Sequence, residues 1–360
     1  MMITNNLHLL KIKRKRVAEG RNLIKGIRLD RNEKVDLWPK NFIKDVLKNK
    51  PLCFFSTYPE IVNLYKKIAR FDKINEDQIL ITSGIDGSIK NLLTLLTKPK
   101  DIISVLSPTY AMYEVYAKIF NLKLFRINYT KNYEIKKNQL EKFFKLKPKM
   151  LFLPNPNQPI ENTFSRKDII KLANKCKKTN CILVVDEAYF HFGSETAMPL
   201  VKKFNNMVVL RTFSKAFGVP SIRAGYTVSN KANMKIISKA RIAHELSSVS
   251  IAVAEYLLDN YNIVKKNCHK ISNSRKEVKK KLKNLGLESR AQFGNYILIK
   301  FKNSKHASDI VKYLRKKFIY VKGPYSKPWN NYISISLGPM IIMKKFLKEI
   351  SNAKVKKLFN

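Results

Sequence analysis

The chain has 360 residues, 45% of them hydrophobic and 11% aromatic, enough for a large core and a smaller second one, so global disorder is excluded. It carries 71 Lys and Arg against 26 Asp and Glu, a formal net charge of +45, but the cations run along the whole length and form no single stripe. That spread argues against nucleic acid as the main partner and leaves an anionic small substrate as the simpler use of part of the charge.

The first 45 residues read as an arm that packs against the body or a partner subunit. Their start, "MMITNNLHLLKIKRKR", places its charges after a short apolar patch, the reverse of a secretory signal. No apolar run reaches the 18 residues of a membrane span. Cys53, Cys176, Cys181 and Cys268 form no CxxC pair, and the five histidines have no metal-ligand spacing. A cytoplasmic protein without a metal or a membrane anchor is expected.

From about residue 75 to 240, apolar runs alternate with amphipathic stretches. "QILITSG" (78–84), "DIISVLSP" (101–108), "KLFRINY" (123–129), "KMLFLPNP" (149–156), "CILVVDEAYF" (181–190) and "MVVLRTFSK" (207–215) read as strands, several buried on both faces. "GSIKNLLTLLTK" and "RKDIIKLANKCKK" between them have helical periodicity. The alternation predicts an α/β fold, a mostly parallel sheet sandwiched by helices, in a large domain spanning 46–262. After a helix at 247–260 and a lysine-rich one to about 285, "NYILIKF", a helix near 307–317, "FIYVKG" and "YISISLG" predict a smaller α+β domain over 263–360.

Ligands of such sheets bind beyond the carboxyl ends of the strands, and the informative residues fall there. In "RTFSKAFGVPSIRAGY", Lys215 lies between Phe213 and Phe217. Apolar surroundings depress a lysine pKa and make its amine nucleophilic, although a basic surface loop reads the same way. Asp186 ends an apolar strand, where a carboxylate needs a cation or caps a helix. Arg223 follows Lys215 by eight positions. An imine-forming amine, a buried carboxylate and a phosphate-binding arginine together meet the needs of pyridoxal phosphate.

With these motifs the chain resembles the fold-type I, pyridoxal-phosphate-dependent aminotransferases, and within them the histidinol-phosphate aminotransferase family. "SKAFGVPSIRAGY" looks like that family's lysine motif, "VVDEAYFHF" its aspartate motif, "SPTYAMYEVY" its ring-stacking segment, "LDRNEK" its substrate-side segment and "TYPE" its inter-subunit tyrosine. The resemblance implies a homodimer that moves an amino group between a small amine donor and a carbonyl acceptor, phosphorylated or sugar-derived. It implies that Lys215 binds the cofactor and moves the proton, that Asp186 pairs with the pyridine nitrogen, and that Tyr189 donates to the ring hydroxyl. Tyr110 would stack on the ring, while Gly84, Ile85, Asp86, Thr212, Ser214 and Arg223 would hold the phosphate, with Tyr58 added from the other subunit. Asn157 and Gln158 would complete the cofactor site, and Asn32 would face the substrate. A decarboxylase of the phosphothreonine type on the same scaffold is the alternative, and a non-catalytic anion-binding relative a second one.

Two departures from the family pattern bear on function. Its PNNPTG stretch here reads "PNQPIEN", so Gln158 stands where an asparagine touches the ring hydroxyl. An arginine that forks onto the substrate's anion is replaced by Ser334, and an earlier arginine by Lys322. Serine makes no bidentate ion pair and lysine offers a point charge only. Ser334 therefore reads as a pocket for a hydroxyl or a neutral chain, unless Arg28, Arg31, Arg241 or Lys322 replaces the arginine. His244 is a further candidate for contact with a substrate phosphate.

Overall fold

The computed structural model describes residues 4–12 and 20–359. Its strands are β1 (Ile27–Leu29), β2 (Ile79–Thr82), β3 (Ile102–Ser107), β4 (Lys123–Asn128), β5 (Met150–Pro154), β6 (Ile182–Asp186), β7 (Met207–Thr212), β8 (Gly225–Val228), β9 (Glu288–Arg290), β10 (Tyr296–Lys300), β11 (Ile319–Val321) and β12 (Tyr332–Ser336). A seven-stranded sheet runs in the order β2-β8-β7-β6-β5-β3-β4. All its neighbouring pairs are parallel except the two that β8 makes with β2 and β7.

The central strands explain why the pattern was readable. Every residue of β5 and β7 is buried, so continuous apolar runs are what two covered faces require. One covering helix, Arg166–Lys178, shows the local logic. Ser165 and Asp168 form a capping box at its start, and Lys175, Lys177 and Lys178 in the last turn oppose the helix dipole. Ile169, Leu172, Ala173 and Cys176 form the stripe laid on the sheet. Truncating the fully buried Ile169 to alanine would cost about 2–5 kcal/mol.

The short strand β8, "GYTV", begins in the last two residues of the lysine motif and was not expected from the sequence. It is buried throughout, and it turns back through Arg223, whose φ is +50.

The C-terminal part is built on the antiparallel sheet β12-β10-β9 and the helices Tyr261–Asn284, Ser304–Lys316 and Met340–Val355. The segment before residue 45 contributes to it: β1 pairs in parallel with β11. Among the described residues no helix is long and apolar enough to cross a membrane.

Candidate active site

Because β3, β5, β6 and β7 run in parallel, their carboxyl ends share one edge of the sheet. There Lys215, Asp186, Tyr189, Arg223 and Tyr110 line one cleft of about 830 Å³, counted to its open mouth. That is the scale of a small-molecule site. Lys215 follows β7, its Nζ donating to the Arg31 carbonyl at 3.1 Å and lying 5.7 Å from the Tyr189 ring centroid. Burial lowers its pKa to about 8, and the nearby charges of Lys322 and Arg223 add to the effect. The neutral amine is thus populated near neutral pH.

Asp186 ends β6. Its Oδ2 accepts from the Tyr113 hydroxyl at 2.5 Å and its Oδ1 from the Ala188 N–H at 3.0 Å. Burial nevertheless pushes its carboxyl up to about 6. The Tyr189 oxygen accepts from Asn32 Nδ2 at 2.8 Å. Its phenolic proton is left for an acceptor in the cleft.

At the other end of the cleft the helix Gly84–Leu96 begins without a side-chain cap, so its first N–H groups are free to receive an anion. Gly84 has φ +71, and a Cβ there would stand 2.8 Å from Arg223 Nη2. Only glycine lets the arginine lie against the helix start. Asp86 bridges, with Oδ1 accepting from Tyr110 at 2.8 Å and Oδ2 lying 3.4 Å from Arg223 Nη2. Ile85, Thr212 and Ser214 line the same end, the Thr212 hydroxyl donating to Ser214 at 3.0 Å. A cationic anion cradle, an amine and a buried carboxylate on one cleft fit a phosphorylated pyridine aldehyde.

Other expected residues sit elsewhere. Asn157 is fully buried and its amide is engaged by Thr109 at 2.6 Å and by Pro108 at 2.9 Å. Asn32 donates to the Tyr189 oxygen and lines a second cavity beside the cleft, on the side expected for the substrate. Gln158 lines the cleft but turns its amide to Tyr325 at 3.4 Å and accepts from Lys322 at 3.3 Å. Ser334 does not open a pocket: it is 1% exposed, and the Tyr325 hydroxyl covers it at 2.6 Å. His244 is exposed and stacks on the exposed Tyr58 at 4.3 Å, away from this chain's own cleft, where a tyrosine expected to serve the other subunit's site is not required. Arg28 and Arg241 are paired with Glu33 and Glu245.

Three features lay beyond sequence reading. Tyr113, three residues after Tyr110, is the one that reaches Asp186. Behind the strand ends, Arg211 holds Glu187 at 2.8 Å and pairs with Asp72, which also accepts from Tyr226 at 2.9 Å. This buried network ties the residue after Asp186 to the strand leading to Lys215. Finally, a second cavity shares Lys215 and Gln158 with the cleft; it gathers Asn32, Arg31 and Lys322, all expected on the substrate side, and adds Arg21, Arg315 and one acid, Asp30, which were not.

Residues 25–338 match the model of the family "Aminotransferase class I and II". The chain belongs to this family. It is therefore a transaminase, with pyridoxal 5′-phosphate as the cofactor whose needs the cleft meets. The aminotransferase is 30% identical over 311 residues to the histidinol-phosphate aminotransferase of Caldanaerobacter subterraneus, covering 84% of this chain and 86% of that one. It is 29% identical to that of Clostridium novyi, over 87% of each chain. The fold is also that of the Sinorhizobium meliloti histidinol-phosphate aminotransferase solved with pyridoxal-5′-phosphate, at TM-score 0.81, 23% identity and 89% coverage of each chain.

Proposed function

We propose that this aminotransferase acts on an amine carrying an anionic group, with histidinol phosphate and 2-oxoglutarate the first pair to test. The cavity beside Lys215 carries the reading. Five basic side chains, Arg21, Arg31, Lys215, Arg315 and Lys322, face one acid there, and Asp30 and Glu33 pair with Arg21 at 3.0 and 3.1 Å, Asp30 also with Arg31 at 3.6 Å. Among the described residues no carboxylate lies within 4.0 Å of the Lys322 ammonium, and burial lowers its pKa. A substrate phosphate or carboxylate would supply a counter-charge for Lys322.

When bound, pyridoxal phosphate supplies the sink for the electron pair released at the amine-bearing carbon. On this reading the helix start at Gly84 and Arg223 would hold the phosphate, Tyr110 would cover one ring face, and Asp186 would hold the ring N–H. Tyr189 donates its spare proton to the ring hydroxyl. Lys215 Nζ would hold the aldehyde carbon until the substrate's amine takes its place, and the freed amine would then move the proton at the amine-bearing carbon, a task for which a pKa near 8 suits it. The relatives' substrate, named in their common description, supports this class.

We also propose a homodimer of chains divided at about 45 and 262, located in the cytoplasm. Leu52, Phe55, Tyr58 and Val62 are all more than half exposed, as a segment covered by a second copy would be. The four cysteines are free, as in a reducing compartment.

The test mixes the loaded enzyme with histidinol phosphate alone and follows the loss of the visible cofactor band. Transfer without an acceptor is expected. No reaction with that amine, but reaction with an uncharged one, would overturn the anionic-substrate reading.

A further inference from the structure

We propose that Tyr113 is a positioning residue for Asp186: its hydroxyl keeps the carboxylate ionised and aimed at the place of the cofactor's ring nitrogen. The inference rests on the reading that Asp186 meets that nitrogen, and adds to it what makes Asp186 able to do so.

A carboxylate in a dry site stays charged only if something compensates it. Among the described residues, no lysine, arginine or histidine lies within 4.0 Å of Asp186, while Asp86 and Glu187 are near enough to push its pKa up. Lys215 across the cleft is coupled to Asp186 by charge alone, with no ion pair within 4.0 Å, and the direct compensation falls to two donors, the Ala188 N–H at 3.0 Å and the Tyr113 hydroxyl at 2.5 Å. The backbone donor comes with any residue at position 188. Tyr113 is the one that a side chain supplies.

The tyrosine is also built to hold still. It is 0% exposed, on the helix Met112–Ile119, and its ring packs on Phe152 at a centroid distance of 4.9 Å. Its other neighbour is Tyr110, met edge-on at 5.8 Å. One side chain thus braces both the carboxylate and the aromatic residue proposed to cover the ring.

The experiment uses Tyr113→Phe, which keeps the ring and the packing, and two ligands: pyridoxal 5′-phosphate and its 1-deaza analogue, in which C–H replaces the ring nitrogen. Affinity of the full-length apoprotein for each is measured by fluorescence quenching. The unaltered protein is expected to bind the analogue far more weakly, because an ionised Asp186 then faces a group that cannot pair with it. In Tyr113→Phe the carboxyl protonates more readily, so affinity for the natural cofactor falls about 10-fold, and the penalty for the analogue shrinks by a similar factor. A structural role would weaken both ligands alike. If the unaltered protein does not discriminate between the ligands, the role given to Asp186 is wrong. If it discriminates and Tyr113→Phe discriminates equally, the role given to Tyr113 is wrong and that of Asp186 stands. As a second readout, the acid limb of cofactor binding should move up by about one pH unit in Tyr113→Phe; an unmoved limb counts against the proposal.

Discussion

Gly84→Ala separates two costs that the phosphate cradle combines. The first is backbone: alanine at φ +71 is disfavoured by about 1–2 kcal/mol, with or without cofactor. It lowers the melting temperature of apo and loaded protein by a few degrees. The second is steric. The new Cβ would stand 2.8 Å from Arg223 Nη2 and 3.4 Å from its Cζ, so the guanidinium must swing away from the helix start. A charge-assisted hydrogen bond to the phosphate goes with it, about 1.5–3 kcal/mol, or roughly 10- to 100-fold in affinity for pyridoxal phosphate. Only this second cost depends on the cofactor. Calorimetric titration of the apoprotein measures it directly. Arg223→Lys, whose slimmer head clears the Cβ, should lose less on adding Gly84→Ala than the natural protein does. Unchanged affinity in Gly84→Ala would refute the assignment of this helix start as the anion cradle.

Covalent capture of the cofactor by the apoprotein should accelerate as pH rises through about 8, since the Lys215 amine must be neutral to attack and its folded-state pKa lies there; a rate flat between pH 7 and 9, by stopped-flow absorbance, would contradict it. Arg211→Met leaves Glu187 and Asp72 buried without their cation and should destabilise by about 3–5 kcal/mol in urea melts. Part of this returns when Glu187→Gln and Asp72→Asn are added, and no recovery would count against a shared network. Ser334→Arg should lower stability and leave KM no better, because Tyr325 fills the space that the guanidinium needs. A stable variant with a lower KM for histidinol phosphate would mean that Tyr325 moves aside.

What could be read from the sequence had a local cause. The strands of the large sheet are buried on both faces, so their signal is carried by consecutive residues, and the cofactor motifs are short runs placed where those strands end. Lys215, Asp186, Tyr189 and Arg223, which line one cleft, could be singled out for that reason. Residues whose part depends on a distant partner were not. Nothing in "SPTYAMY" tells which tyrosine turns to residue 186, 73 positions on. Ser334 suggested an opening because Tyr325, which closes it, arrives from another turn of the chain. Glu187 and Arg211 stand inside the quoted motifs with no role legible there, and the fold joins them to each other, to Asp72 and to Tyr226 in one network.

The union of β1 with β11 also sets a timetable. Asn32, whose amide meets Tyr189, has its own N–H held by Ser336, 304 positions later. At the roughly 5–20 residues per second of synthesis, the first strand waits many seconds for its mate. The large sheet can form meanwhile, but the floor under Tyr189 and the carbonyl that meets Lys215 cannot take their places until the last strand has left the ribosome. A nascent chain arrested before residue 336 is therefore expected to carry a built sheet and an unfinished site.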